Sequence, residues 1–170
     1  MLRRAAVALV GSVATAFAAL AYAYLTLPDV RPLRSDNPST TAFMRLRDGE
    51  ASAAGRRPQR IQRWLPYRRI SPSLTKAVLV AEDAAFWGHE GVDYYELRKS
   101  IELDWQRGRM VRGASTITQQ LAKNLYLSPS RNPLRKFREL IIARRLEAEL
   151  SKSRILEIYL NVIEWGDGIY

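Results

Sequence analysis

The sequence contains no cysteine. That excludes a disulfide framework, a thiolate metal site, an iron–sulfur cluster and a cysteine nucleophile. It contains one histidine, His89. A zinc site built on two or three histidines is therefore excluded, while a carboxylate-bound cation stays open. A Ser-His-Asp catalyst would have to use that one residue. Acidic residues are also scarce: 17 Asp and Glu stand against 27 Lys and Arg, a formal net charge of +10. Of the 27 cations, 22 are arginine. Segments that alternate with period two are few, and there is no internal repeat or low-complexity tract. What is present is an ordered composition, 47% hydrophobic and 26% charged, unlike that of a disordered chain. The 170 residues suffice for one ordinary domain, or a smaller domain plus an anchor. Charge of this size calls for an anionic partner: nucleic acid, an acidic lipid surface or a phosphorylated substrate.

The N-terminus narrows that choice. Met1-Leu2-Arg3-Arg4 precedes Ala5 to Leu27, 23 positions without a charge. As a helix this run is about 34 Å long, more than the roughly 30 Å of a bilayer core. Arg3 and Arg4 lie before it, which puts the N-terminus in the cytoplasm. Ala21-Tyr22-Ala23 has the small-x-small form of a leader cleavage site. The length of the run and the Tyr22/Tyr24 pair favour an uncleaved anchor over residues 1–27. Either reading sends the rest of the chain outside the cytoplasm, so no nucleic-acid partner is expected.

Prolines at 28, 32, 38, 58 and 66 and frequent arginines mark residues 28–63 as a solvated juxtamembrane linker. It holds one short helix around Thr40 to Leu46, and its arginines could touch lipid headgroups. Beyond Ile70 the pattern is helical. Pro72 follows Ser71 as a first helical residue, with Leu74, Ala77, Val78 and Ala81 at helical spacing. A second helix fits Tyr94 to Gln106, with Leu97, Ile101 and Trp105 on one stripe. A third starts at Ser115 or Thr116 and a fourth at Pro133. A fifth is capped by Ser151 or Ser153. The expected fold class is mainly α.

Four blocks concentrate the chemistry. In Glu82-Asp83-Ala84-Ala85-Phe86-Trp87-Gly88-His89-Glu90-Gly91 a carboxylate pair closes an apolar helix. It suits general acid–base work, or is plain helix-end charge beside core aromatics. His89 alone reads as structural. In 112–124, Gly113 precedes a helix N-terminus, where an anion could sit. The dense polar run Ser115, Thr116, Thr118, Gln119, Gln120 and Asn124 suits sugars and phosphates, or a capped helix with a polar face. In 134–147, Arg135 and Glu139 are four apart and share a face, a pattern usually just solvated. The helix of 152–161 reads as structural. Between Asp104 and Glu139 there is no acidic residue in 34 positions. Arg107, Arg109, Arg112, Lys123, Arg131, Arg135, Lys136 and Arg138 lie in that gap, a local field suited to phosphate.

Together these blocks resemble one family: the peptidoglycan glycosyltransferases that polymerise lipid II. The matching patterns are E-D-x-x-F-x-x-H-x-G at 82–91, G-x-S-T-I-T-Q-Q-x-x-K-N at 113–124, R-K-x-x-E at 135–139 and I-L-x-x-Y-L-N at 155–161. The likeness covers residues 64–170, and the single anchor resembles the monofunctional bacterial form. It implies a lysozyme-like helical domain with a membrane-dipping lobe, to which the apolar and basic region after Leu97 could belong. It implies Glu82 as general base on the acceptor hydroxyl. Glu139 would hold the donor site and departing diphosphate, directly or through a cation. Lys123, Arg131 and Arg138 would neutralise the diphosphate. Ser115, Thr116, Gln119, Gln120 and Asn124 would line the cleft. Asp83, Phe86, His89, Arg135 and Lys136 take supporting places. No cofactor is required, though a divalent cation (Mg or Mn) could sit at the diphosphate. The implied partners are lipid II, the growing glycan chain and the bilayer, with other cell-wall synthesis and division proteins as candidates. The implied location is the bacterial inner membrane, with the domain on the periplasmic side. The family domain continues beyond the Gly-Asp-Gly turn at 166–168, so this chain is expected to be C-terminally partial. Two rivals stand beside this reading: a lysozyme-like or lytic glycan-cleaving enzyme, since two glutamates on a helical fold also serve cleavage, and an inactive membrane scaffold.

Overall fold

The computed structural model describes residues 2–108, 113, 115–130 and 132–170, with backbone alone at 2, 4–6, 8 and 104. Among the described residues there are seven α-helices: α1 (Leu2–Leu25), α2 (Ala42–Ala53), α3 (Pro72–Glu82), α4 (Tyr94–Arg107), α5 (Ile117–Tyr126), α6 (Pro133–Glu149) and α7 (Lys152–Val162). Among the described residues β structure is limited to two isolated bridges, Ile61 with Ile169 and Gly166 with Ile169. The fold is mainly helical, as the spacing of apolar residues implies.

Local chemistry sets the helix ends. Thr116 caps α5 by accepting from Gln119 N–H. Asn132 caps α6 through Leu134 N–H, with Pro133 as the first helical residue. Ser151 caps α7 through Arg154 N–H, and Asp93 caps α4 through Glu96 N–H. Helix α5 stops at Leu127-Ser128-Pro129, because the residue before a proline is pushed to extended backbone.

Helix α5 is the centre of the packing. It lies against α2, α6 and α7 and buries Ile117, Leu121, Ala122 and Leu125. Ile142, Ala143 and Leu146 of α6 and Ile155, Leu156, Ile158 and Val162 of α7 complete the core. Each fully buried leucine or isoleucine contributes about 1.5–3 kcal/mol, which fixes the stretch that carries most of the polar residues singled out above.

The expectation for residues 28–63 is corrected. Residues 28–63 are not a free linker: Val30, Leu33 and Met44 are buried in the same core, and α2 packs on α5. Helix α2 also runs to Ala53, seven residues past the expected end. The signal was missed because three apolar residues spread over fifteen positions make no period. The stripe on α4 is helical in spacing but not packed: Leu97, Ile101 and Trp105 are 37%, 60% and 89% exposed. Periodicity identifies an apolar face and not what covers it. Helix α1 coincides with the uncharged run. Among the described residues, no helix is long and apolar enough to cross a membrane.

Helix α7 clamps the segment that precedes α3. Asn161 Oδ1 accepts from Leu65 N–H at 2.7 Å, and its Nδ2 donates to Leu65 O at 2.9 Å. Glu157 accepts from Tyr67 N–H and Trp64 Nε1. Arg154 donates to Leu33 O, Asp36 O, Asn37 Oδ1 and Glu157. Near the C-terminus Gly168 has φ +69°, and a Cβ there would lie 2.4 Å from Gln59 O. Only glycine allows the pairing in which Ile61 N–H donates to Gly168 O. Asn161→Ala should destabilise the fold by about 2–3 kcal/mol, since it leaves the partly buried N–H and C=O of Leu65 unpaired. Thermal denaturation followed by circular dichroism should show the midpoint lower by roughly 5–10 °C. An unchanged midpoint would mean the clamp contributes nothing.

Candidate active site

The site is built where α3 ends and α5 begins. Helix α3 closes at Glu82, and Asp83 turns to extended backbone at φ −162°. Asp83 is buried. Its Oδ2 accepts from Ile117 N–H at 2.9 Å, so it caps α5 from another element. His89 Nε2 meets the same carboxylate at 3.0 Å. Gly91 N–H donates to His89 Nδ1 at 3.1 Å, which leaves the ring proton on Nε2, facing Asp83. Phe86 is fully buried beneath this turn, edge-on to Trp87 and His89. Asp83, Phe86 and His89 thus sit in the turn around Glu82.

Gly91 and Thr116 lock the turn to the helices. Gly91 has φ +85°, and a Cβ there would press on Glu147 Cγ at 3.1 Å and Ala143 O at 3.3 Å. Thr116 Oγ1 donates to Gly91 O at 2.7 Å. Beneath them lies a group that no local sequence pattern foreshadows. Thr118 Oγ1 donates to Glu147 Oε1 at 2.6 Å, Lys152 Nζ donates to the same oxygen at 2.8 Å, and Lys152 lies 4.4 Å from the Phe86 ring centroid. Three helices and the turn meet there.

Glu82 itself is exposed, and two clefts open beside it. One, of about 680 Å³, is lined by Glu82, Gln120, Lys123, Asn124, Arg135 and Tyr159, with an apolar end at Phe43, Leu46, Ile163 and Trp165. The other, of about 360 Å³, runs past Glu82 and Asp83 to Gly113, Ser115 and Thr116. Gln120 Nε2 donates to Glu82 Oε2 at 2.8 Å. Asn124 Oδ1 is buried with no hydrogen-bond partner among the described residues. Lys123 is exposed on the cleft wall. Phe43 and Leu46 went unrecognised because they belong to the segment read as linker.

Glu139 corrects the expectation of a solvated charge pair. It is 2% exposed and accepts from Arg135 at 2.6 Å and from Lys136 at 2.5 Å. Lys136 Nζ also donates to Ser115 Oγ at 3.2 Å and Gln119 Oε1 at 3.4 Å. One buried carboxylate therefore orders two cations, and one of these reaches the first turn of α5. The acid is hidden, while the Lys136 side chain stays 44% exposed. Arg138 goes elsewhere: its Nη2 donates to Thr26 O, past the end of α1. It is not among the residues lining the Glu82 clefts. Arg131 lies outside the described residues, as do Arg109, Arg112 and Ala114 of the basic gap.

Glu139 is already taken up by two cations, and among the described residues no group of three His, Asp or Glu is arranged to hold a metal.

Comparison with known proteins fits this geometry. The chain is 50% identical over 139 residues to a biosynthetic peptidoglycan transglycosylase of Methylobacillus flagellatus, covering 79% of this chain and 58% of that protein. It is 49% identical over 135 residues to the protein of that name in Laribacter hongkongensis, with 79% and 59% covered. For the Azoarcus protein of that name the figures are 47% over 137 residues, with 81% and 59% covered. The chain thus spans somewhat under three fifths of the length of these curated relatives. A family model described as Transglycosylase matches residues 49–170, which takes in α3 to α7 but not Phe43 and Leu46 of the cleft. With Glu82, the cation pair on Glu139 and the capped α5 all inside that match, the chain belongs to the transglycosylase family.

Proposed function

We propose that the protein polymerises lipid II into β-1,4-linked glycan strands as an inverting peptidoglycan glycosyltransferase. The observation that carries this reading is one exposed carboxylate, Glu82, on a cleft whose walls carry Lys123, Arg135, Gln120 and Asn124. Breaking a glycosidic bond needs acid and base. Expelling a diphosphate also needs cations to take up its charge.

In the proposed step the 4-hydroxyl of lipid II attacks the anomeric carbon of the growing chain, and Glu82 takes the hydroxyl proton. A carbon–oxygen bond forms to the acceptor. The bond to the diphosphate oxygen breaks, and polyprenyl diphosphate departs with the electron pair. Lys123 and Arg135 on the cleft wall would take up its charge, and Lys136 beside Ser115 and Gln119 would meet charge from the α5 side. Glu139 acts through them, by holding both cations in place. Ser115 and Asn124 offer hydrogen bonds to sugar or phosphate oxygens, whereas Gln119, expected to line the cleft, is 3% exposed, lines neither cleft and accepts from Lys136. Thr116 is spent on capping and on Gly91. No step is assigned to a metal.

The substrate is a lipid, which fits a bilayer location. The 23-residue uncharged run and the exposed Val10, Val13, Phe17 and Leu20 of α1 support a membrane anchor. Arg3 and Arg4 before it support a periplasmic side for the domain. The exposed Leu97, Ile101 and Trp105 of α4 would meet the same membrane. Other cell-wall synthesis and division proteins are natural partners at that surface.

Incubation of the full-length protein with lipid II should give long glycan strands and leave finished glycan uncut. Short fragments released from finished glycan would show a cleaving enzyme instead. Glu82→Gln should lower polymerisation about 10²–10⁴-fold while vesicle binding stays at the wild-type level. Polymerisation at the wild-type rate would overturn the general-base assignment. Glu139→Gln should cost about 3–5 kcal/mol of stability, because it leaves two ordered cations without their anion. Urea titration should show a lower midpoint, and a midpoint equal to wild type would contradict the buried pair's structural part.

A further inference from the structure

Tyr159 has no part in the step above, yet its hydroxyl begins a two-bond chain that ends on Glu82. Tyr159 Oη donates to Gln120 Oε1 at 3.0 Å, and Gln120 Nε2 donates to Glu82 Oε2 at 2.8 Å. Tyr159 is buried in the core on α7, and it lines the cleft that holds Glu82.

The chemistry of the amide gives this chain a direction. A carboxylate can accept only from the NH₂ end of a glutamine. With that end on Glu82, the amide oxygen faces Tyr159, which must donate to it. A flipped amide would set its oxygen against a carboxylate oxygen and waste the tyrosine proton. Burial, together with the Glu82 and Asp83 carboxylates, pushes the Tyr159 hydroxyl well above the ordinary phenol range, so it keeps that proton. Glu82 needs such a restraint. It is exposed, on the last turn of α3, with side-chain rotamers that a cleft alone does not select.

Resting on the reading of Glu82 as general base, we infer that Tyr159 is a positioning residue: it locks the Gln120 amide, and the locked amide aims the Glu82 carboxylate at the acceptor hydroxyl. Gln120 then serves the base rather than the sugar. The I-L-x-x-Y-L-N block, structural in its clamp on Leu65, also reaches the chemistry through its tyrosine.

The test is steady-state polymerisation of lipid II by the full-length protein and by its Tyr159→Phe, Gln120→Leu and doubly substituted forms, with Glu82→Gln alongside. Each single substitution should lower kcat about tenfold, the order of one hydrogen bond, with KM changed less than about twofold. The double variant should be no slower than the slower single one, because both break one chain. Gln120 is only half-buried, so Gln120→Leu carries the test if Tyr159→Phe does not fold. A wild-type kcat in either single variant, losses that multiply in the double one, or a loss confined to KM overturns the inference. If Glu82→Gln alone is inactive and the other variants match wild type, the inference fails while the proposed function stands. If wild-type protein makes no polymer, or Glu82→Gln makes as much as wild type, the proposed function fails first.

Discussion

The Asp83 carboxylate is the interaction on which the rest of the site depends. It is buried between three elements, accepts from the first amide of α5 and meets His89 across the turn. A buried carboxylate is costly unless its oxygens are paired, so its position is narrowly set. That fixes the end of α3 against the start of α5, and Glu82 is the next residue along. A single buried acid thus sets the place of an exposed one. The favourable end of the α5 dipole adds to the pairing.

The same logic recurs in other acids that are buried or partly buried. Glu139 orders Arg135 and Lys136, Glu147 joins Thr118 to Lys152, and Glu157 holds the Trp64–Tyr67 segment with Arg154. In each case the carboxylate is withdrawn from solvent and a cation or backbone amide is fixed by it. The acids of this basic chain are few, and several are spent on ordering positive charge. That explains how a net charge of +10 coexists with a packed helical core.

Much of this was legible in the sequence. The start positions of α3, α5, α6 and α7 followed from Pro72, Thr116, Pro133 and Ser151, because caps and first-turn prolines act locally. Glu82 and the Arg135–Glu139 pair followed from motif order and helical spacing. The burial of Glu139 did not, since a four-residue spacing looks the same on a wet face as on a dry one. The packing of Val30, Leu33 and Met44 was hidden because their contacts are long-range and leave no local period. On α4 the period is clear, but a period alone does not say what covers the face. Tyr159 and Gln120 are 39 positions apart, and only the folded chain joins their side chains.

The central claim is that Glu82 and the cations beside it build glycan by expelling a diphosphate. The most direct measurement counts polyprenyl diphosphate released against disaccharide units added when the full-length protein is given lipid II. The account predicts one diphosphate for each unit added, with every new linkage β-1,4. Diphosphate release without chain growth, or growth with a mixture of linkages, would contradict it.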